Sequence, residues 1–443
     1  MFFLYDLLFP LLLLLYMPFY VVHILRRGGL TKDFWERFGI FPQEAKDRLA
    51  ALKSRPVWIH AVSVGETVEA ISFIARWRER HPTEDFVFTC GTSTGFATAK
   101  KKLPADVVCL YCPMDCWWMV RHAYNLIRPR LVAILEVEIW PNLILQARKR
   151  GIPVVMVNGR LSDRSSQGYA KWGCVFRKLF RSYALLCVQT PEDAARLEHV
   201  IGKDDRIRVV GTVKFDQVAD GGPADLGDVL KQAFGDGEHP LFCVGSTHPG
   251  EEELICEAYA RALSSQPQWR MVLVPRHAER GAEVVKILEA FHLPWQSVKP
   301  IPGTTPVPAG QAQVLLVNTT GQLMAYYRVA ELCYVGKSLA GQTGGHNIIE
   351  PAIFGKAILY GAHMENFRQV DQLFREAKAA YPVEGDNLFF PALQTLMSQP
   401  EKRRELGERA LALVQKHRGA IDRTLELLDQ TPETAFPENQ KAQ

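Results

Sequence analysis

The sequence predicts an α/β protein of two doubly wound domains facing a cleft, behind an N-terminal helix that enters a membrane. Three observations predict it. Short unbroken apolar runs recur at a spacing of roughly 20–30 residues, with helical stretches between them, the rhythm of β-α units in a parallel sheet buried on both faces. A polar Gly/Asp-rich stretch interrupts the series midway, after which the series restarts. The first 25 residues are almost wholly apolar.

Composition allows this and excludes other classes. A chain of 443 residues is long enough for two or three domains with large cores. With 47% hydrophobic and 23% charged residues it is not a disordered chain. A net charge of +4 is too mild to argue for nucleic acid, and no such partner is expected. Nine cysteines, an odd number without a secreted-type framework, fit a reducing compartment.

Residues 1–25, MFFLYDLLFPLLLLLYMPFYVVHIL, carry Asp6 and His23 but no Lys or Arg. As a helix they extend ~37 Å, enough for a hydrocarbon core of ~30 Å. Arg26 and Arg27 follow, then Lys32 and Arg37, so the positive-inside rule places the body in the cytoplasm. A cleaved signal peptide would carry positive charge before the apolar run and small residues after it, and neither is present. The expectation is a single-pass anchor over 1–25. Pro10 and Pro18 leave a re-entrant or surface-lying segment open.

Strands are expected at 56–62, 85–90, 106–111, 130–136, 152–158, 183–189 and 207–211 in the first half. After a linker at 216–228, DQVADGGPADLGD, they are expected at 240–246, 270–276, 314–318, 331–336 and 356–361. Residues 296–312 read as a Pro/Gly-rich surface loop and 431–443 as a disordered tail.

Several motifs sit where these strands end. In HAVSVGE, His60–Glu66, Gly65 permits a tight turn and Glu66 opens a helix. That acid is either a cap stabilised by the helix dipole or a general base. In ILEVEIWPN, 134–142, Glu136 and Glu138 share a face if the strand persists, as in an acid-x-acid metal site. Otherwise one of them caps the helix starting at Trp140-Pro141. Cys109, Cys112 and Cys116 have one C-x₂-C spacing but no second pair, so packing is favoured over zinc. Residues 160–183 are basic, with Arg160, Arg164, Lys171, Arg177, Lys178 and Arg181 against Asp163. Trp172, Phe176, Phe180 and Tyr183 are interleaved at helical spacing, which suits a membrane surface, a phosphorylated amphiphile or simple packing.

In the second half, GSTHPGEEE, 245–253, offers the backbone N–H groups of a turn to an anion. VPRHAER ends a strand with Arg276 and His277, and NTTGQLMAYYRVA opens a helix with Thr319 or Thr320 as its cap. GGHNIIEPA, 344–352, places a lone acid, Glu350, near a helix start in an apolar segment, where it can accept hydrogen bonds from a ribose diol.

HAVSVGE, ILEVEIWPN, VNGRLSDRS, GTVKFD, GSTHPGEEE, VPRHAER and GGHNIIEPA occur here in one order. With the apolar N-terminus, the chain resembles the bacterial lipid A 3-deoxy-D-manno-octulosonic acid (Kdo) transferases to about residue 425. The resemblance implies a GT-B fold, two Rossmann-like domains, with an acceptor-binding domain at 26–217 and a CMP-Kdo-binding domain at 218–430. It implies an inverting transfer of Kdo from CMP-Kdo to an acylated, phosphorylated lipid A precursor at the cell inner membrane, without metal or other cofactor. Glu66 matches the general base, and Glu136 and Lys214 match transition-state stabilisers. The donor contacts match Pro275, Arg276, Gly321, Gln322, Leu323, Asn347, Ile348, Ile349 and Glu350. Gln322 stands where an acid is common in the family, and Lys337 where glycine is common. The alternative is another GT-B enzyme, a UDP-sugar transferase or epimerase.

Overall fold

In the computed structural model, residues 2–26, 32–217 and 226–430 are described. The expected tail at 431–443 lies outside them, as do residues 218–225 of the expected linker. The chain divides into two compact units. The first is Met1–Gln217 with Arg418–Gln443, and the second is Val218–His417.

The first unit holds seven strands, β1 (Val57–Ala61), β2 (Phe86–Cys90), β3 (Val108–Tyr111), β4 (Leu131–Leu135), β5 (Val154–Gly159), β6 (Leu185–Val188) and β7 (Ile207–Val209). They pair in parallel in the order β3-β2-β1-β4-β5-β6-β7. Side chains alternate across a strand, so each run of apolar residues fills two cores at once. Val57, Ile59 and Ala61 face one cluster with Phe73, Ile74 and Trp77 of the helix Val64–Arg80. Trp58 faces the other, with Tyr124 and Ile144 from the helices Trp117–Ile127 and Pro141–Lys149.

The second unit repeats the plan with β8 (Leu241–Thr247), β9 (Arg270–Pro275), β10 (Trp295–Ser297), β11 (Val314–Leu316), β12 (Leu332–Val335), β13 (Ala357–Gly361) and β14 (Tyr381–Val383). Their order is β10-β11-β9-β8-β12-β13-β14, again parallel. All twelve expected strands form. The three-residue outer strands β10 and β14 are additional, and β10 overlaps the first two residues of the segment 296–312 expected as a loop.

Two expectations are corrected. The second domain does not run to residue 430. The helix Ala420–Gln430 packs on the first unit, where Ile421, Leu425 and Leu428 join the core beside Phe73. Asp216 takes up two backbone groups at its start, the N–H of Gly419 at 2.6 Å and of Ile421 at 2.8 Å. The basic segment is two helices, Asp163–Lys171 and Gly173–Phe180, broken at Trp172. Phe180 and Tyr183 are buried packing residues, and Trp172, 60% exposed, is the aromatic that faces solvent.

The N-terminal run is a helix, Phe2–Arg26. Tyr5 donates to Asp115 at 2.9 Å and Asp6 accepts from the Asn142 side chain at 2.8 Å, which holds its first turns on the first unit. Phe3, Leu4, Leu7, Leu8, Leu11, Leu12, Leu15 and Phe19 are exposed, while Tyr5, Asp6, Phe9, Pro10 and Leu13 are half-buried. Among the described residues no helix is long and apolar enough to cross a membrane.

Candidate active site

In the first unit the site residues sit just past the carboxyl ends of the strands, where parallel sheets collect functional groups. The helix after β1 begins at Val64, with Ser63 as its cap. Ser63 Oγ accepts the Glu66 N–H at 3.2 Å, and the Glu66 carboxylate accepts the N–H of Ser63 at 3.2 Å and of Val62 at 2.8 Å. This is a complete capping box. Glu66 thus does the structural work that the sequence offered as the rival to catalysis. A carboxylate has about four acceptor sites, so two bonds leave capacity for a further proton donor. Gly65 has an ordinary helical conformation. A Cβ there would meet Ser63 Oγ at a comfortable 3.8 Å, so the tight turn expected of it is not what it supplies.

Glu136 follows β4 in a left-handed conformation, φ 56°, and its N–H bonds to the carbonyl of Val157 at 2.8 Å. Burial and the neighbouring Glu66 push its carboxyl up, while Lys214 and Arg160 pull it down. Glu138 is pushed up to about 7 by burial and by Glu66. It does not cap the next helix. Asp115 does, accepting the N–H of Asn142 at 2.9 Å and of Leu143 at 3.0 Å. Lys214 lies on a short 3-10 turn, Val213–Phe215, after β7. The structure therefore gathers Glu66, Glu136 and Lys214, far apart in sequence, into one electrostatic group. His60, a residue away from the end of β1, is buried and pushed down to about 4, and so is a neutral core histidine.

In the second unit Pro275 ends β9 and Arg276 follows, exposed, its N–H bonded to the Thr247 carbonyl at 3.0 Å. The helix Ile349–Ala352 is a single turn, so Glu350 stands at its start. Asn347 closes the approach, its side-chain oxygen accepting the Ile349 N–H at 3.1 Å. Burial pushes Glu350 up to about 7 against the pull of Arg276. His248 and His346 stack with their Nε2 atoms 3.0 Å apart, and His277 meets His248 edge-on. Burial lowers both His248 and His346, and the charges of Arg276 and Lys337 lower them further, so cations converge here. Gly321, Gln322 and Leu323 form the entry to the helix Leu323–Val329. Gln322 is its cap residue, in place of Thr319 or Thr320, and accepts from the Thr319 hydroxyl at 2.8 Å.

Gly344 and Gly345 have φ of 107° and 65°, and a Cβ on Gly345 would collide with Met364 Sδ. Here only glycine is free of strain. Lys337, at φ 66°, also occupies left-handed space, a conformation uncommon for any residue but glycine.

Sequence reasoning missed Glu251. It is fully buried at the start of the helix Glu251–Leu263 and accepts the backbone N–H of His248, Lys337 and Ser338 at 2.8–2.9 Å, with the Tyr334 hydroxyl at 2.8 Å. The turn donors expected to meet an anion are thus partly taken by the protein's own carboxylate. The run GEEE was the available signal, read as part of a turn offered to an anion. Among the described residues no cluster of three or more His, Cys, Asp or Glu is placed to hold a metal ion.

This architecture is that of GT-B enzymes. A glycosyltransferase from Rickettsia africae aligns with 85% of this chain and 99% of its own, at TM-score 0.51 and 10% identity. A UDP-GlcNAc 2-epimerase from Neisseria meningitidis, bound to UDP-GlcNAc, aligns with 85% and 100%, at TM-score 0.57 and 13% identity. At such identities the likeness shows fold alone. The family model described as 3-deoxy-D-manno-octulosonic-acid transferase (kdotransferase) matches residues 32–217. The 3-deoxy-D-manno-octulosonic acid transferase of Haemophilus influenzae is 30% identical over 375 residues, 84% of this chain and 86% of that one. That of Bordetella pertussis is 30% identical over 419 residues, 91% and 94%. The chain belongs to the 3-deoxy-D-manno-octulosonic acid transferase family.

Proposed function

We propose that this Kdo transferase moves Kdo from CMP-Kdo to an acylated, phosphorylated lipid A precursor, with inversion and without a metal ion. The observation that carries the site assignment is the placement of Glu66, Glu136 and Lys214 past the ends of β1, β4 and β7. Glu66 accepts the proton of the acceptor hydroxyl as the oxygen attacks the anomeric carbon. Kdo bears a carboxylate beside that carbon, and Lys214 with Glu136 balances the charge that shifts as the bond to CMP breaks. CMP leaves with one phosphate, which side-chain cations suffice to neutralise, and Arg276 supplies that charge. Pro275, Gly321, Gln322, Leu323, Asn347, Ile348, Ile349 and Glu350 complete the donor contacts, with Glu350 accepting from the ribose. The first unit is the acceptor-binding domain and the second the CMP-Kdo-binding domain.

Attachment to the inner membrane runs through the helix Phe2–Arg26. Its half-buried side holds Tyr5 and Asp6 on the body while its other side is a row of exposed Leu and Phe. This arrangement supports a helix lying along the bilayer surface more than one crossing it. The deciding experiment incubates the full-length protein with CMP-Kdo and tetraacylated precursor and weighs the lipid products. A mass increase of Kdo units is expected. No product with CMP-Kdo, but turnover with a UDP-sugar, would reject the reading.

A further inference from the structure

We propose that Glu69 and Asn158 form a positioning pair that sets Lys214 and Glu136 relative to Glu66; this rests on the roles proposed above for those three. Glu69 lies one turn beyond Glu66 on the helix Val64–Arg80 and is 2% exposed. Its Oε2 accepts from the Asn158 side-chain amide at 2.7 Å. Asn158, fully buried near the end of β5, uses the other end of that amide to accept the N–H of Val213 at 3.1 Å. Val213 is the first residue of the turn that carries Lys214. The residue before Asn158, Val157, holds the backbone of Glu136 through its carbonyl. Asn158 itself sits at φ 59°, a conformation asparagine tolerates better than most residues, and Gln189 fixes its carbonyl from β6's end at 3.0 Å. One side-chain amide thus ties the helix of the base to the turn of the lysine, and its own strand holds the second acid.

A purely packing role would be met at lower cost by apolar residues, since a buried carboxyl is expensive unless satisfied. The charged groups around Glu69 come from every neighbouring element. Glu66 is on its own helix, Glu136 on the loop after β4 and Lys214 on the turn after β7. Burial and the two acids push Glu69 up to about 7, while Lys214 and Asn158 pull it down.

The test uses the full-length enzyme and steady-state kinetics on folded protein, with Glu66→Gln and Lys214→Ala as reference variants. Glu69→Leu keeps volume but drops the link, and kcat should fall roughly tenfold to a hundredfold, with KM for CMP-Kdo within about twofold. Glu69→Gln can still accept from Asn158 and should restore most of that loss. Asn158→Gly removes the amide without straining the positive φ, and should match Glu69→Leu. Combining Glu69→Leu with Asn158→Gly should cost little more than either alone. If the reference variants lose turnover while folded Glu69→Leu stays within about twofold of wild type, the pair has no positioning role. If Glu69→Leu does not fold, unchanged kcat in Asn158→Gly rejects the pair by itself. Full activity in the reference variants would instead overturn the site assignment beneath it.

Discussion

Glu66 Oε2 accepts the backbone N–H of Val62 at 2.8 Å, so the acid proposed as the base also closes the turn leading into its own helix. Its second oxygen accepts from Ser63, and glutamine has only one acceptor oxygen to replace both. Glu66→Gln should therefore lose roughly 10²–10⁴-fold in turnover and also about 1 kcal/mol of stability. Thermal melts and single-turnover kinetics separate the two effects. A variant that melts earlier but keeps more than about a tenth of wild-type turnover leaves Glu66 as a cap only.

Donor binding should respond to Arg276 and Glu350 alike. Glu350→Ala and Arg276→Ala should each weaken CMP binding by roughly 1–3 kcal/mol, the usual cost of stranding a polar partner. Calorimetry reads this directly. Unchanged affinity in both would place the nucleotide elsewhere.

Glu350 also makes stability depend on pH. Its carboxyl rises from the ordinary 4.5 to about 7, chiefly through burial. The folded state prefers the neutral form, so the stabilisation is complete below the unfolded value and is lost as pH rises through the folded one. Glu350→Gln is neutral throughout. The melting temperature of the variant minus that of wild type should grow between pH 4.5 and about 7. A difference that stays flat across this window would show that Glu350 is not held neutral.

Membrane attachment is open to a sidedness test. Removing residues 1–25 should leave CMP binding intact and abolish sedimentation with membranes. Of the free cysteines, Cys174 is the exposed one, so Cys174→Ser gives a quiet background for Phe3→Cys. A helix lying on the cytoplasmic surface predicts labelling by an impermeant maleimide from the cytoplasmic side. Labelling from the opposite side alone would mean that the helix spans.

The sheets were legible because buried parallel strands are continuous apolar runs, such as VWIHA in β1 and AILYG in β13. β10 and β14, Trp-Gln-Ser and Tyr-Pro-Val, are three residues long and hold a polar side chain or a proline, and carry no such signature. Glu66 and Glu136 could be found because each stands at the end of a readable strand. Glu69, Asn158 and Glu251 could not, since their partners lie on distant segments that only the folded sheet brings together. Glu69 did leave a trace, an acid on the same helix stretch as the buried Ala70, Phe73 and Ile74. Asp115 left none, because the helix it caps starts 26 residues further on, at Pro141.

The docking of Ala420–Gln430 through Asp216 sets an order on synthesis. The ribosome makes most of the first unit early, yet Ile421, Leu425 and Leu428 emerge only after the entire second unit. Domains that fold as they leave the ribosome normally finish in sequence order, but here the one begun first is finished last. A chain released before residue 418 would keep the apolar strip beside Phe73 uncovered, marking it for chaperones or proteolysis. Only a polypeptide whose second unit is already made can then seal the half that carries Glu66 and Lys214.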